Sequence, residues 1–83
     1  MHNMSQQEIE YQDLASLFHV TGLLEGELEV LPEIAPDGKC HFSARFSCLN
    51  PELTIIAKGR QPYRAMLNLS TLVAAKLRDA FKE

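Results

Sequence analysis

The chain has 83 residues, 46% of them apolar and 23% charged, with eight lysines and arginines against eleven acids. That leaves room for one domain with a modest core, and the composition argues against a disordered chain. No run approaches the ~18 apolar residues of a membrane-spanning helix, and no basic segment followed by an apolar stretch marks a secretory leader, so a cytoplasmic protein with no membrane contact is expected.

In chain order, residues 1–4 are expected to be a flexible tail and 5–83 a single domain. Ser5-Gln6-Gln7-Glu8 has the spacing of a capping box, with Met4 and Ile9 placed as a hydrophobic staple. Tyr11, Leu14, Ala15 and Phe18 then follow helical spacing and predict a buried stripe, with Gly22 as the helix exit. Gly26–Leu31 alternates as a strand with Leu28 and Val30 inward, ended by Pro32. Ala35-Pro36-Asp37-Gly38-Lys39 has turn chemistry, with proline pre-setting φ and glycine free to take φ > 0. A second strand runs from Cys40 to Cys48, with Cys40, Phe42, Ala44, Phe46 and Cys48 on one face and His41, Ser43, Arg45 and Ser47 on the other.

Centring that hairpin on Asp37 predicts Glu29 opposite Arg45 and Glu33 opposite His41, the parity that keeps every apolar side chain on one face. Asn50-Pro51 suits positions i and i+1 of a second turn, and Leu53 to Lys58 reads as a third strand. Gly59 ends the sheet and Pro62 opens a final helix. Its predicted buried stripe is Tyr63, Met66, Leu69, Val73, Leu77, Ala80 and Phe81, opposite Arg64, Asn68, Thr71, Ala75, Arg78 and Lys82. The expected fold class is α+β: a two-layer sandwich in the order α-β-β-β-α, with a three-stranded antiparallel sheet and two helices on one face.

Cys40 and Cys48 share one strand and would sit ~26 Å apart at ~3.3 Å per residue, too far to bridge. Buried free thiols are expected. The histidines His2, His19 and His41 are scattered and lack zinc-ligand spacing, so no metal or other cofactor is expected. Ser43 and Ser47 share a face with His41, and Glu25, Glu27 and Glu29 cluster, but an open strand surface offers neither a pocket nor a small-molecule site. The expectation is not an enzyme.

The order helix, three-stranded meander, helix resembles the double-stranded-RNA-binding domain over nearly the whole chain. The resemblance is carried by Ala57-Lys58-Gly59-Arg60-Gln61-Pro62-Tyr63-Arg64-Ala65 running into Val73-Ala74-Ala75-Lys76-Leu77. In that family a glycine turn is followed by a Lys-Lys-x-Ala-Lys segment. Aligned on Gly59, Ala65 matches while Pro62, Tyr63 and Met66 stand where the lysines belong. Aligned on Ala74-Ala75, Leu67, Asn68 and Thr71 stand there. The resemblance is to a degenerate member, and implies the fold more than RNA binding. Gln61-Pro62-Tyr63-Arg64-Ala65-Met66-Leu67 is also similar, at its Tyr and Ala, to a segment of small ribosome-hibernation factors.

Charge is the remaining signal. Eight acids and no base lie in residues 1–38, and eight bases with three acids lie after them, so −8 and +8 − 3 = +5 sum to the net −3. The acidic face and the outer sheet surface, with Glu25, Glu27, Glu29, Arg45 and Ile56 as the expected contact residues, suggest a protein-binding regulatory module, an inhibitor or adaptor of nucleic-acid-handling machinery. The alternative is a structured-RNA or ribosome binder using Lys58, Arg60, Arg64, Arg78 and Lys82, of which Arg60 and Arg64 flank a helix N-terminus. Leu72 and Ile56 are apolar positions outside the expected core. A homodimer through an unpaired edge strand is a third expectation.

Overall fold

The computed structural model describes residues 5–80. Helix α1 spans Gln6–Leu23, strands β1, β2 and β3 span Glu27–Ile34, Cys40–Leu49 and Glu52–Gly59, and helix α2 spans Pro62–Ala80. The strands form one antiparallel sheet in the order β1-β2-β3. Both helices pack on the same side of it, giving an α+β slab of 42 × 40 × 21 Å, about two layers of secondary structure thick.

The register follows from the pleat. Leu28–Phe46–Ile55 and Val30–Ala44–Ala57 form two cross-sheet rows on the inner face, and Cys48 pairs with Leu53 beside them. Those side chains meet Ala65, Leu69 and Val73 of α2 and Leu17 of α1 in one core. Phe46, Ala44, Ala65 and Leu69 are wholly excluded from solvent. Burial of a Phe or Leu side chain contributes about 1.5–3 kcal/mol, so these few residues dominate what holds the layers together.

Glycine at two positions sets how closely the layers approach. A Cβ on Gly59 would lie 2.5 Å from the Ala65 amide nitrogen, and one on Gly26 would lie 2.9 Å from the Ser47 carbonyl oxygen. The first lets α2 start directly against the end of β3. The second lets the chain leave α1 tightly against β2. The cap geometry begins as expected, with the Glu8 amide donating to the Ser5 hydroxyl at 3.2 Å; Met4 of the expected staple and the tail 1–4 lie outside the described residues.

Several expectations are corrected. The α1 stripe is rotated: Leu17 is buried and Leu14, Val20 and Leu24 are half-buried, whereas Tyr11 and Phe18 are 63% and 54% exposed and Ala15 is also exposed. Both stripes have helical spacing. The choice is made by α2, whose Ser70 hydroxyl donates to the Asp13 carbonyl (2.9 Å) and whose Arg64 pairs with Glu10 (3.1 Å). The helix also continues past Gly22 to Leu23 and closes through Glu25, which takes φ 52°.

Strand β1 does not stop at Pro32 but pairs through it to Ile34, because β1 is an edge strand and the missing N–H faces no neighbour. In the β2–β3 hairpin Leu49 faces Glu52, so Asn50 and Pro51 are its two central residues, joined by a cis peptide bond, and Pro51 stands one place later than expected. Cys40 is exposed and only Cys48 is buried. On α2 the stripe gains Ala65 and loses Tyr63, 42% exposed, since the close approach at Gly59 brings Ala65 to the sheet. Phe81 lies outside the described residues.

Candidate functional site

The helices cover only the inner face of the sheet. Its outer face is bare, and the register arranges it in rows: Glu27–Ser47–Thr54, Glu29–Arg45–Ile56, Leu31–Ser43–Lys58 and Glu33–His41. Four of the five expected protein-contact residues, Glu27, Glu29, Arg45 and Ile56, therefore stand side by side. Glu25 precedes β1 in the turn that leaves α1. Strand alternation accounts for the grouping, because residues of one parity on three paired strands must share a face.

The Arg45 guanidinium donates to the Glu29 carboxylate across the β1–β2 pair. Glu33 sits between two side chains of β2 and β3, 3.4 Å from His41 Nε2 and 3.9 Å from Lys58 Nζ. The His41 contact makes no hydrogen bond, and Nε2 is buried without one. Exposed pairs of this kind are worth tenths of a kcal/mol, to roughly 1. Between them lie Leu31 and Ile56, each 52% exposed. Two open depressions follow this surface: one of about 420 Å³ lined by Glu27, Leu28, Glu29, Arg45 and Ser47, the other running over Leu31, Ser43 and Ile56. The face thus combines fixed charges with apolar side chains around open depressions.

The basic residues are divided. Arg60 and Arg64 meet with Gly59, Gln61 and Asn68 around an open depression of about 480 Å³ at the start of α2. Arg64 is held there by Glu10 and by Tyr63, whose ring centroid is 5.0 Å from the guanidinium carbon. Lys58 points to the outer sheet face. Arg78 lies fourteen residues beyond Arg64, roughly 21 Å along the helix at 1.5 Å per residue. Lys82, like His2, lies outside the described residues.

His41, Ser43 and Ser47 all lie on the outer face, and among the described residues no three of His, Cys, Asp and Glu come together as metal ligands. Ile56 and Leu72 are both partly exposed but belong to opposite layers, Ile56 to the outer sheet face and Leu72 to α2. They do not form one patch. A surface that sequence reasoning missed is the stripe Tyr11–Ala15–Phe18 on α1, taken for core and left open to solvent. The signal was present: α1 has two apolar faces, and one helix in a two-layer domain cannot bury both.

No protein-family model matches the chain, and no curated protein matches its sequence. No helix among the described residues is long and apolar enough to cross a membrane.

Proposed function

We propose that this protein is a non-catalytic binding module that engages a protein partner through the outer face of its sheet, on a degenerate scaffold of the double-stranded-RNA-binding type. The observation that carries this reading is the row Glu29–Arg45–Ile56 with Leu31 beside it: an uncovered sheet face presenting ordered charges around apolar side chains. Glu27, Glu29 and Glu33 all lie on β1, so the side of the face nearest that edge is acidic and suits a basic partner surface. An inhibitor or adaptor of nucleic-acid-handling machinery, working in the cytoplasm, has such a partner. The missing lysines at the start of α2 agree with a scaffold turned from RNA to protein.

A second reading, contact with structured RNA or the ribosome, is favoured by one observation, the convergence of Arg60, Arg64 and Asn68 at the N-terminus of α2. The two readings separate in one experiment. The immobilised native chain, the Glu27→Lys/Glu29→Lys variant and the Arg60→Glu/Arg64→Glu variant are compared for capture of protein partners and for binding of labelled duplex RNA at two salt concentrations. The partner reading expects the acidic-face variant to lose the captured protein while its circular dichroism is unchanged, and the arginine variant to keep it. Retention by the acidic-face variant overturns it. RNA binding with a salt slope of several units, abolished by the arginine variant, establishes the second reading instead.

A further inference from the structure

A three-stranded sheet has two free edges, and in this protein they are chemically opposite. The β1 edge carries Pro32, which has no N–H to offer, and if it paired antiparallel with a second β1 about Val30, Glu27 would face Glu33 of the other copy on both sides of the axis. That edge is guarded. The β3 edge reads Glu52-Leu53-Thr54-Ile55-Ile56-Ala57-Lys58 and has no proline, no bulge and no charge between its two ends.

This strand is complementary to itself. Paired antiparallel with a second β3 about Ile55, Glu52 faces Lys58 of the other copy, Leu53 faces Ala57 and Thr54 faces Ile56. Two-fold symmetry repeats every one of these pairs. Residues of equal parity oppose each other, so the outer face continues as outer face and the inner as inner. Glu52 makes no ion pair among the described residues, and Lys58 makes only the 3.9 Å approach to Glu33, so both are available.

The helix layer agrees with this pairing. The Asn68 side-chain amide donates to the Lys58 carbonyl oxygen at 2.8 Å, which places that face of α2 over β3. Leu72, one turn further along the same face, is 43% exposed. We propose that two copies of this chain join through β3, in the register centred on Ile55, into one continuous six-stranded sheet that partly covers Ile56 and Leu72. The proposal does not rest on the partner reading, and the acidic face around Glu27 and Glu29 stays open in the pair.

Sedimentation equilibrium over a wide concentration range tests it. The native chain is expected at twice the 9.3 kDa of one copy. Glu52→Lys, which places like charges opposite each other at both ends of the ladder, is expected to raise the dimer dissociation constant on the order of tenfold or more. Lys58→Glu does the same, with an added repulsion from Glu33. The double exchange Glu52→Lys/Lys58→Glu restores opposite charges and is expected to recover dimerisation, which a merely unfolded variant cannot do. Hydrogen exchange of the β3 amides that point away from β2 slows in the native dimer and not in Glu52→Lys. A chain that stays monomeric at millimolar concentration, or a dimer as tight in Glu52→Lys as in the native chain, overturns the proposal. So does failure of the double exchange to restore it; dimerisation insensitive to all three would belong to another surface, such as the α1 stripe.

Discussion

The amide of Glu25 donates to the carbonyl of Gly22 at 3.2 Å, while the next amide, Gly26, reaches back to the Thr21 carbonyl at 2.8 Å. Together these close α1 in a Schellman motif whose left-handed position, φ 52°, is held by a glutamate rather than the usual glycine. Gly26 cannot exchange roles with it, since the Ser47 carbonyl leaves no room for a Cβ there. Two neighbouring positions thus ask for glycine for different reasons, and only one has it.

Glu25→Gly is therefore expected to stabilise the fold by about 0.5–1 kcal/mol, the left-handed penalty of a residue with a Cβ offset partly by glycine's larger unfolded-state entropy. A urea midpoint that rises with an unchanged slope checks it. A lower midpoint would mean that the Glu25 side chain contributes more than its backbone costs.

The two other glycines within or at the ends of the helices should respond with opposite signs. At Gly59 an added methyl meets the backbone of Arg64 and Ala65, so Gly59→Ala should cost about 1–3 kcal/mol as overpacking. At Gly22, inside α1 with nothing within 4 Å of an added Cβ, alanine should stabilise by up to about 1 kcal/mol. Thermal and urea unfolding of the pair measured together give the comparison.

The two thiols should differ in accessibility. Cys40 is exposed at the start of β2, whereas Cys48 is buried and its thiol donates to the Pro51 carbonyl at 2.9 Å. One equivalent of a disulfide reagent is expected to react quickly with the folded chain, and the second only on unfolding. Equal rates for both would contradict the burial of Cys48.

Charge pairs on the outer face should matter little to stability and the inner row a great deal. A double-mutant cycle on Glu29 and Arg45 is expected to give a coupling of about 0.2–1 kcal/mol, reduced by salt. Phe46→Ala, directly behind Arg45 on the inner face, should cost about 3–5 kcal/mol. Loss of partner binding in Glu29→Lys with near-native stability then reads as a surface effect.

The sheet was legible in the chain because its alternation is unambiguous. Once Phe42, Ala44 and Phe46 must face inward, parity dictates that Leu28 and Val30 join them and that Glu29 meets Arg45. The hairpin turn at Asp37-Gly38 follows from local chemistry in the same way, with Gly38 at φ 85° and the Lys39 amide taken by the Asp37 carboxylate. The grouping of Glu27, Glu29, Arg45 and Ile56 on one face followed from the same parity.

What α1 buries was not legible, because Tyr11–Ala15–Phe18 and Leu14–Leu17–Val20 are equally good helical stripes and spacing alone cannot rank them. By itself, then, the sequence determined the element order, the register and the composition of each sheet face, all of which depend on local periodicity and turn chemistry. Only the tertiary structure decided the rotation of α1 and the exposure of its second stripe. Those outcomes depend on docking between distant segments, where the bonds from Ser70 to Asp13 and from Arg64 to Glu10 and the close approach of Gly59 to Ala65 select one packing from several that the pattern allows.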